Sequence, residues 1–265
     1  MADKTKIEWA EATWNPVTGC LHGCEYCYAR RIAERFNGEF GAGGMHESPV
    51  PFRKMIKRDK RTGEVELGKK EPYPYGFAPT FHRYRLNIPE RWTKPRTIFV
   101  CSMADLFGRW VPFHWIKDVF DACLKAPQHR YLFLTKNVSR YTELDYMAML
   151  PRDDNFWYGT SVTSNAADVP FPGKLEGYIN TFWSMEPLLG QVIMSKAKGV
   201  PGWVIIGAET GNRSNKVKPR KEWIDDIVVW CDDYGVPVFM KDSLIPIVGE
   251  DNMRRDFPWQ QEERK

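Results

Sequence analysis

From residue 97 onward, short apolar runs alternate with longer stretches whose apolar positions recur every three or four residues, the pattern of strands joined by amphipathic helices. TIFVCSM (97–103), RYLFLTK (130–136), FWYGTSV (156–162), TFWSMEPLL (181–189), GWVIIGAET (202–210) and PVFMKDSL (237–244) read as strands. VPFHWIKDVFDACLKA (111–126), SRYTELDYMAML (139–150) and KEWIDDIVVWCDDYG (221–235) read as helices. Upstream, TWNPVTG (13–19) reads as a first strand running into a loop, and YCYARRIAERF (26–36) as the helix leaving it. The strand runs are short and β-branched or aromatic, which suits a parallel sheet buried on both faces, so an α/β fold is expected. Strands ending in polar residues suit a barrel whose working face lies at the strand C-termini. The same alternation permits a doubly wound sheet with its ligand at a switch point.

Between about residues 37 and 94 the periodicity lapses into Gly, Pro and charge, including KMIKRDKRTGEVELGKK (54–70). This stretch is expected to be an irregular insertion within a single domain spanning residues 1–265. Its basic run suits either a solvated loop or hairpin, or a contact to nucleic acid.

Composition narrows the class. At 43% hydrophobic and 14% aromatic, the 265 residues can bury a sizeable core and are not a disordered chain. No run approaches the ~18 uninterrupted apolar residues of a membrane helix. The charged opening MADKTKIEWAE is unlike a secretory signal, so a cytoplasmic protein with no membrane partner is expected. A net charge of +4 points only weakly to a polyanionic partner.

The strongest local signal is GCLHGCEYCYARR, which places Cys20, Cys24 and Cys27 in a C-x3-C-x2-C set. A four-iron cluster held by cysteine takes four thiolates, so three close together leave one iron open to another ligand. A zinc site would need a second ligand pair, and beyond His22 inside the loop none follows; zinc or a structural role is the alternative. Cys101, Cys123 and Cys231 stand singly in apolar or helical stretches and read as small buried hydrophobes. A disulfide framework does not fit six sparse cysteines in a reducing compartment.

Polar residues collect at the predicted strand ends. They are Ser102 and Asp105; Thr135, Lys136 and Asn137; Thr160, Ser161 and Thr163; Ser184 and Glu186; Glu209, Thr210 and Asn212; Lys241 and Asp242. Ser161, Thr163, Asn212 and Asp242 could equally be helix N-caps. Glu186 and Lys241 each end an apolar strand with a charge that is costly to bury alone, and pairing across a barrel mouth would relieve that cost. Glu186, Lys241 and Lys136 are the candidate catalytic residues. Ser102, Asp105, Ser161 and Glu209 are the candidate cofactor contacts.

The cysteine spacing, with Tyr26 before the last thiol, resembles the signature of the radical SAM superfamily. With TKIEWAEATWNPVTGC, SMADLF, LTKN, SMEPLLG, IIGAETG and VPVFMKD in this order, nearly the whole chain resembles a phage-associated family of short radical SAM proteins of unknown function. That resemblance implies a partial, open parallel (β/α)6-type barrel. It implies a 4Fe-4S cluster on Cys20, Cys24 and Cys27, with S-adenosyl-L-methionine on the open iron and Tyr26 against its adenine. An external low-potential electron donor would start the reaction, and a 5′-deoxyadenosyl radical would abstract a substrate hydrogen. Where the superfamily often carries Gly-Gly-Glu after its second strand, this chain has Cys101-Ser102-Met103-Ala104-Asp105, so Ser102 and Asp105 are candidates by position. Two basic stretches, residues 54–70 and 213–221, with many interleaved aromatics, suggest nucleic acid as substrate, in base modification or repair. A peptide or small metabolite is the alternative within the enzyme class. A non-catalytic zinc- or cluster-bearing nucleic-acid-binding module is the alternative outside it.

Overall fold

The structure, a computed structural model, describes residues 5–36, 43–59, 61–164 and 179–262. Seven strands form its main sheet: Ala12–Trp14 (β1), Thr97–Val100 (β7), Arg130–Thr135 (β8), Phe156–Ser161 (β9), Asn180–Met185 (β10), Val204–Ile206 (β11) and Val238–Met240 (β12). Each lies beside its predecessor and every pairing is parallel. A doubly wound sheet must reverse its strand order at a switch point. This order never reverses, so the sheet curls one way into a barrel, left open between β1 and β12.

Side chains alternate across a strand, and here both faces are apolar. The concave face carries Phe99, Leu132, Trp157, Phe182, Ile205 and Phe239, into which Trp9 inserts from the chain before β1. Gly159 stands on this face because any side chain would collide with Phe182: a Cβ there would fall 2.2 Å from its ring. The convex face packs on helices. Ile98, Tyr131, Phe133, Phe156 and Tyr158 meet Phe113–Leu124 (α3) and Ser139–Tyr146 (α4), with Ile88 of the short helix Ile88–Arg91 (α2) packed against the same cluster. Trp183, Met185, Val204, Ile206 and Val238 meet Lys221–Asp233 (α5). Each such side chain removed from water contributes roughly 1.5–3 kcal/mol.

The ends of the chain tend the open seam. Glu8 accepts the Asp242 N–H at 2.7 Å and reaches Arg255 at 3.4 Å. Residues 254–256 run along the free edge of β12, where the Met240 N–H donates to the Arg254 carbonyl at 2.8 Å. Covering an edge in this way removes a template for unwanted strand pairing. Further on, Trp259 packs against Trp157 and Trp203.

Two expectations change in detail. The predicted strand at 13–19 is broken after Trp14. Pro16 has no N–H for a ladder, and Val17–Thr18 (β2) leaves the barrel to pair with Thr80–His82 (β6). The stretch at 37–94, expected to be irregular, carries strands among its described residues. His46–Ser48 (β3) joins β6, while Arg53–Arg58 (β4) and Val65–Lys70 (β5) form an antiparallel hairpin. Two bulge-like register shifts interrupt that hairpin, which hides its alternation from a period-2 reading. No described helix is long and apolar enough to cross a membrane.

Candidate metal and cofactor site at the barrel mouth

The diversion of β2 into the second sheet swings the following residues across the top of the barrel. Gly19 makes the corner at φ 85°, and a Cβ there would lie 2.2 Å from the Ala78 carbonyl oxygen. Its N–H donates to the Met103 carbonyl at 2.9 Å, and the Cys20 N–H donates to Phe77 at 3.3 Å. The loop is thereby pinned from both sides before its first thiol. Cys24 and Cys27 close it with a backbone hydrogen bond of 3.2 Å. Cys27 then caps Tyr28–Arg35 (α1), its Sγ accepting the Arg30 N–H at 3.3 Å.

All three cysteines are free and half-buried, and all line one cavity of about 690 Å³. Burial pushes the Cys20 thiol up to about 12, and the charges of Asp105, Cys27 and Cys24 add to the rise. Such a sulfur becomes a thiolate at neutral pH when a cation compensates it. Among the described residues no three His, Cys, Asp or Glu side chains form a group for a single ion. Cysteine sulfur is the donor that iron-sulfur clusters take, one thiolate to each iron. The donor set therefore fits an iron-sulfur cluster.

Asp105 anchors the loop from below. It is 5% exposed, and its two carboxylate oxygens accept from the Phe107 N–H at 3.0 Å, Thr135 Oγ1 at 2.7 Å and the Lys136 N–H at 3.0 Å, and pair with His22 Nε2 at 2.6 Å. His22 in turn lies edge-on to Trp110 at 4.9 Å. Asp105 thus joins the cysteine loop to the end of β8. Asn15, at the end of β1, braces the turn after β7, where its Oδ1 accepts from Ser102 Oγ at 3.1 Å and the Met103 N–H at 3.0 Å. The Tyr28 hydroxyl donates to the Ser102 carbonyl at 2.6 Å.

The rest of the wall comes from concave-face positions just past the apolar layer. Lys136 follows Leu132 and Leu134, and its Nζ lies 5.3 Å from the Tyr26 ring centroid. Ser161 follows Gly159. Glu186 follows Phe182 and Ser184, and Lys241 follows Phe239. Lys241 Nζ donates to Glu186 Oε1, with Glu8 at 4.0 Å, and the Trp9 indole N–H reaches Glu186 Oε2 at 3.4 Å. Gly207 lies against this pair; a Cβ there would come within 3.0 Å of Lys241 and 3.2 Å of Glu186. Glu209 follows Ile205 and Gly207. One oxygen accepts from Arg213, which also reaches Glu25 of the cysteine loop at 3.6 Å. The other oxygen is buried without a protein partner, so it can take a donor from a bound molecule.

Cys20, Cys24, Cys27, Tyr26, Ser102, Asp105, Lys136, Ser161, Glu186, Glu209 and Lys241 all lie on this cavity wall. Asn137, Thr160, Thr163, Asn212 and Asp242 do not. Ser161, Thr163, Asn212 and Asp242 are not N-caps either. Of the helices whose N-caps are described, α1 alone is capped by a side chain, that of Cys27. Sequence reading passed over Thr13 and Asn15, which share the wall. The strand-end rule applied to β1 would have found them, since both stand opposite in parity to the buried Trp14.

A family model described as "Protein of unknown function (DUF5131)" matches residues 4–245. Among solved structures the chain is similar to a cysteine-to-serine mutant of spore photoproduct lyase, with a TM-score of 0.52 and 13% identity over 90% of this chain and 79% of that one. A tyrosine-to-phenylalanine mutant of the same lyase gives a TM-score of 0.45 and 11% identity over 84% and 74%. No curated protein matches. At such identities the likeness speaks to the fold alone, a partial parallel barrel.

Proposed function

This chain belongs to the DUF5131 family, and from the site it carries we propose that it is an enzyme of the radical S-adenosylmethionine type acting on a base in nucleic acid. The observation that carries this reading is the convergence of three free, closely spaced cysteines and the polar strand ends of an open parallel barrel on one cavity. Cys20, Cys24 and Cys27 would hold a 4Fe-4S cluster with one iron left for S-adenosylmethionine. When bound and reduced by an external low-potential donor, the cluster and S-adenosylmethionine supply a 5′-deoxyadenosyl radical able to take a hydrogen atom from a C–H bond.

The chain's own residues bind, orient and shield. The unpartnered oxygen of Glu209, with Ser161 and Ser102, offers polar contacts for the cofactor, and Tyr26 offers an aromatic face. The Glu186–Lys241 pair flanks Gly207, mostly withdrawn from water, where it can orient a polar substrate group through hydrogen bonds strengthened by the low local dielectric. Below it the aromatic layer of Trp9, Phe99 and Phe182 keeps water from reaching the cavity through the barrel floor. A nucleic-acid substrate is supported by the basic stretches of the chain and by the name of the similar lyase, whose substrate is a photoproduct.

Anaerobic reconstitution with iron and sulfide tests the proposal. Brown protein with about four irons per chain, forming 5′-deoxyadenosine when dithionite and S-adenosylmethionine are added, is expected; alanine at Cys20, Cys24 and Cys27 should abolish both. Colourless protein that retains zinc and forms no 5′-deoxyadenosine would establish the non-catalytic module instead. Nucleoside mass spectrometry of DNA and RNA exposed to the active enzyme tests the substrate, and unchanged nucleosides would move it to a peptide or small metabolite.

A further inference from the structure

The hairpin β4–β5 is strongly basic. Residues 53–70 hold eight Lys and Arg against three Asp and Glu, a net of +5, whereas the entire chain nets +4. Residues 213–221 carry five more Lys and Arg and no acid, so the hairpin is one of two basic elements whose field can gather an anionic partner. Arg53, Arg58, Arg61, Lys69 and Lys70 are exposed. One of the three acids serves the turn: Asp59 accepts the N–H groups of Arg61 at 2.7 Å and Thr62 at 2.9 Å, and these bonds hold its carboxyl below the usual range. Ile56, Val65 and Leu67 are also exposed, at 62%, 40% and 54%. Apolar side chains on a basic ribbon are more than solubility requires.

The hairpin's position ties it to the site. Its second strand runs on through Pro72, whose carbonyl accepts from buried Arg85 at 3.2 Å, to Tyr73 on the cavity wall. Ile56 and residues 68–72 share a hollow of about 440 Å³ with Phe36, at the end of the helix that Cys27 caps. The ribbon thus runs into the cavity wall at Tyr73 and lies near the C-terminal end of α1, whose other end carries Cys27.

We propose that this hairpin docks in the major groove of duplex DNA and presents the strand to the cavity, a role that rests on the nucleic-acid reading above. Two strands about 4.8 Å apart fit a groove about 12 Å wide, the one that admits a two-stranded β-ribbon. The A-form RNA groove is too narrow for side chains to read. The flanking Lys and Arg meet phosphates on either side, and the exposed aliphatics can contact thymine methyl groups at the groove floor. The register shifts in the hairpin increase its twist, which helps a ribbon follow the groove.

Fluorescence anisotropy with a 20-base-pair duplex, from 50 to 200 mM salt, tests this on the full chain. Two variant sets are compared: Arg53→Gln with Arg58→Gln and Arg61→Gln, and separately Lys69→Gln with Lys70→Gln. Each should weaken binding by tenfold or more at low salt and flatten the salt slope by about 0.9 for each phosphate no longer neutralised. Circular dichroism and iron content like those of the unmodified protein show that a set is folded, and either folded set decides the matter. Unchanged affinity and slope, no binding by the unmodified protein, equal binding to duplex RNA, or preference for phosphatidylserine vesicles overturns the assignment. Protein that never holds iron yet binds duplex DNA through the hairpin would end the enzymatic reading and leave this one standing. Protein that forms 5′-deoxyadenosine but binds DNA regardless of these charges would do the reverse.

Discussion

Lys241 and Glu186 enter the cavity from the ends of β12 and β10 and meet beside Gly207, with 14% and 25% of their side chains exposed. Removing one partner leaves the other charge half-desolvated. Lys241→Met should therefore lower unfolding free energy by about 1–3 kcal/mol, less than for a fully buried pair because water still reaches Glu186. Adding Glu186→Gln should recover part of that loss. A double-mutant cycle by urea denaturation measures the coupling, and purely additive effects would show that the pair is not an interacting unit. His82 makes a second prediction. It is 1% exposed beside Thr18, and burial, with the Arg85 charge, lowers its pKa to about 2. The unfolded chain binds a proton near pH 6.5 and the folded chain does not. The stabilisation is thus complete above that pH and is lost progressively as pH falls toward the folded-state value, by about 2 kcal/mol at pH 5. His82→Gln should flatten this acid limb, as denaturation at pH 7 and 5 would show.

At the level of elements, the cysteine loop depends on a corner that one residue type can make. Gly19 combines a left-handed backbone with contact against Ala78, so Gly19→Ala incurs at least ~1–2 kcal/mol from the backbone alone, and the clash adds to it. Because Cys20 is the next residue, the damage falls on the proposed metal site before the core. Iron per chain after reconstitution should drop more than the melting temperature; equal iron in the variant would show that the loop does not need this corner. The helix that follows starts on a thiol rather than on Ser, Asp or Asn, so the same side chain serves as cap and candidate ligand. Composition-based cap rules overlook it for that reason.

On the scale of the whole molecule, the open barrel is sealed by segments outside its strands. Trp9 is 2% exposed and packs on Phe99 at 4.6 Å and Phe182 at 6.3 Å. Trp9→Ala should cost about 3–5 kcal/mol, as expected for a large side chain deleted from a close-packed layer. Its indole N–H also touches Glu186, so the same variant should loosen the mouth. Chemical denaturation gives the first effect, and a change below about 1 kcal/mol would mean that the layer does not depend on Trp9.

Period and spacing by themselves determined the α/β class, the seven principal strands, the cysteine triplet and the polar strand ends. These are local properties: a strand buried on both faces must be apolar throughout, and where it leaves the sheet its polar residues meet solvent or a ligand. Tertiary structure alone decided the rest. That the strand order never reverses, so the sheet curls into a barrel, follows from pairings between distant residues that no local pattern records. The division of residues 13–19 between two sheets, the use of Asp105 to brace the cysteine loop and the use of Asn15 to brace the turn after β7 likewise depend on partners 30 to 88 residues away. A sequence window registers the cost of burying a polar group, but the fold chooses the partner that relieves it.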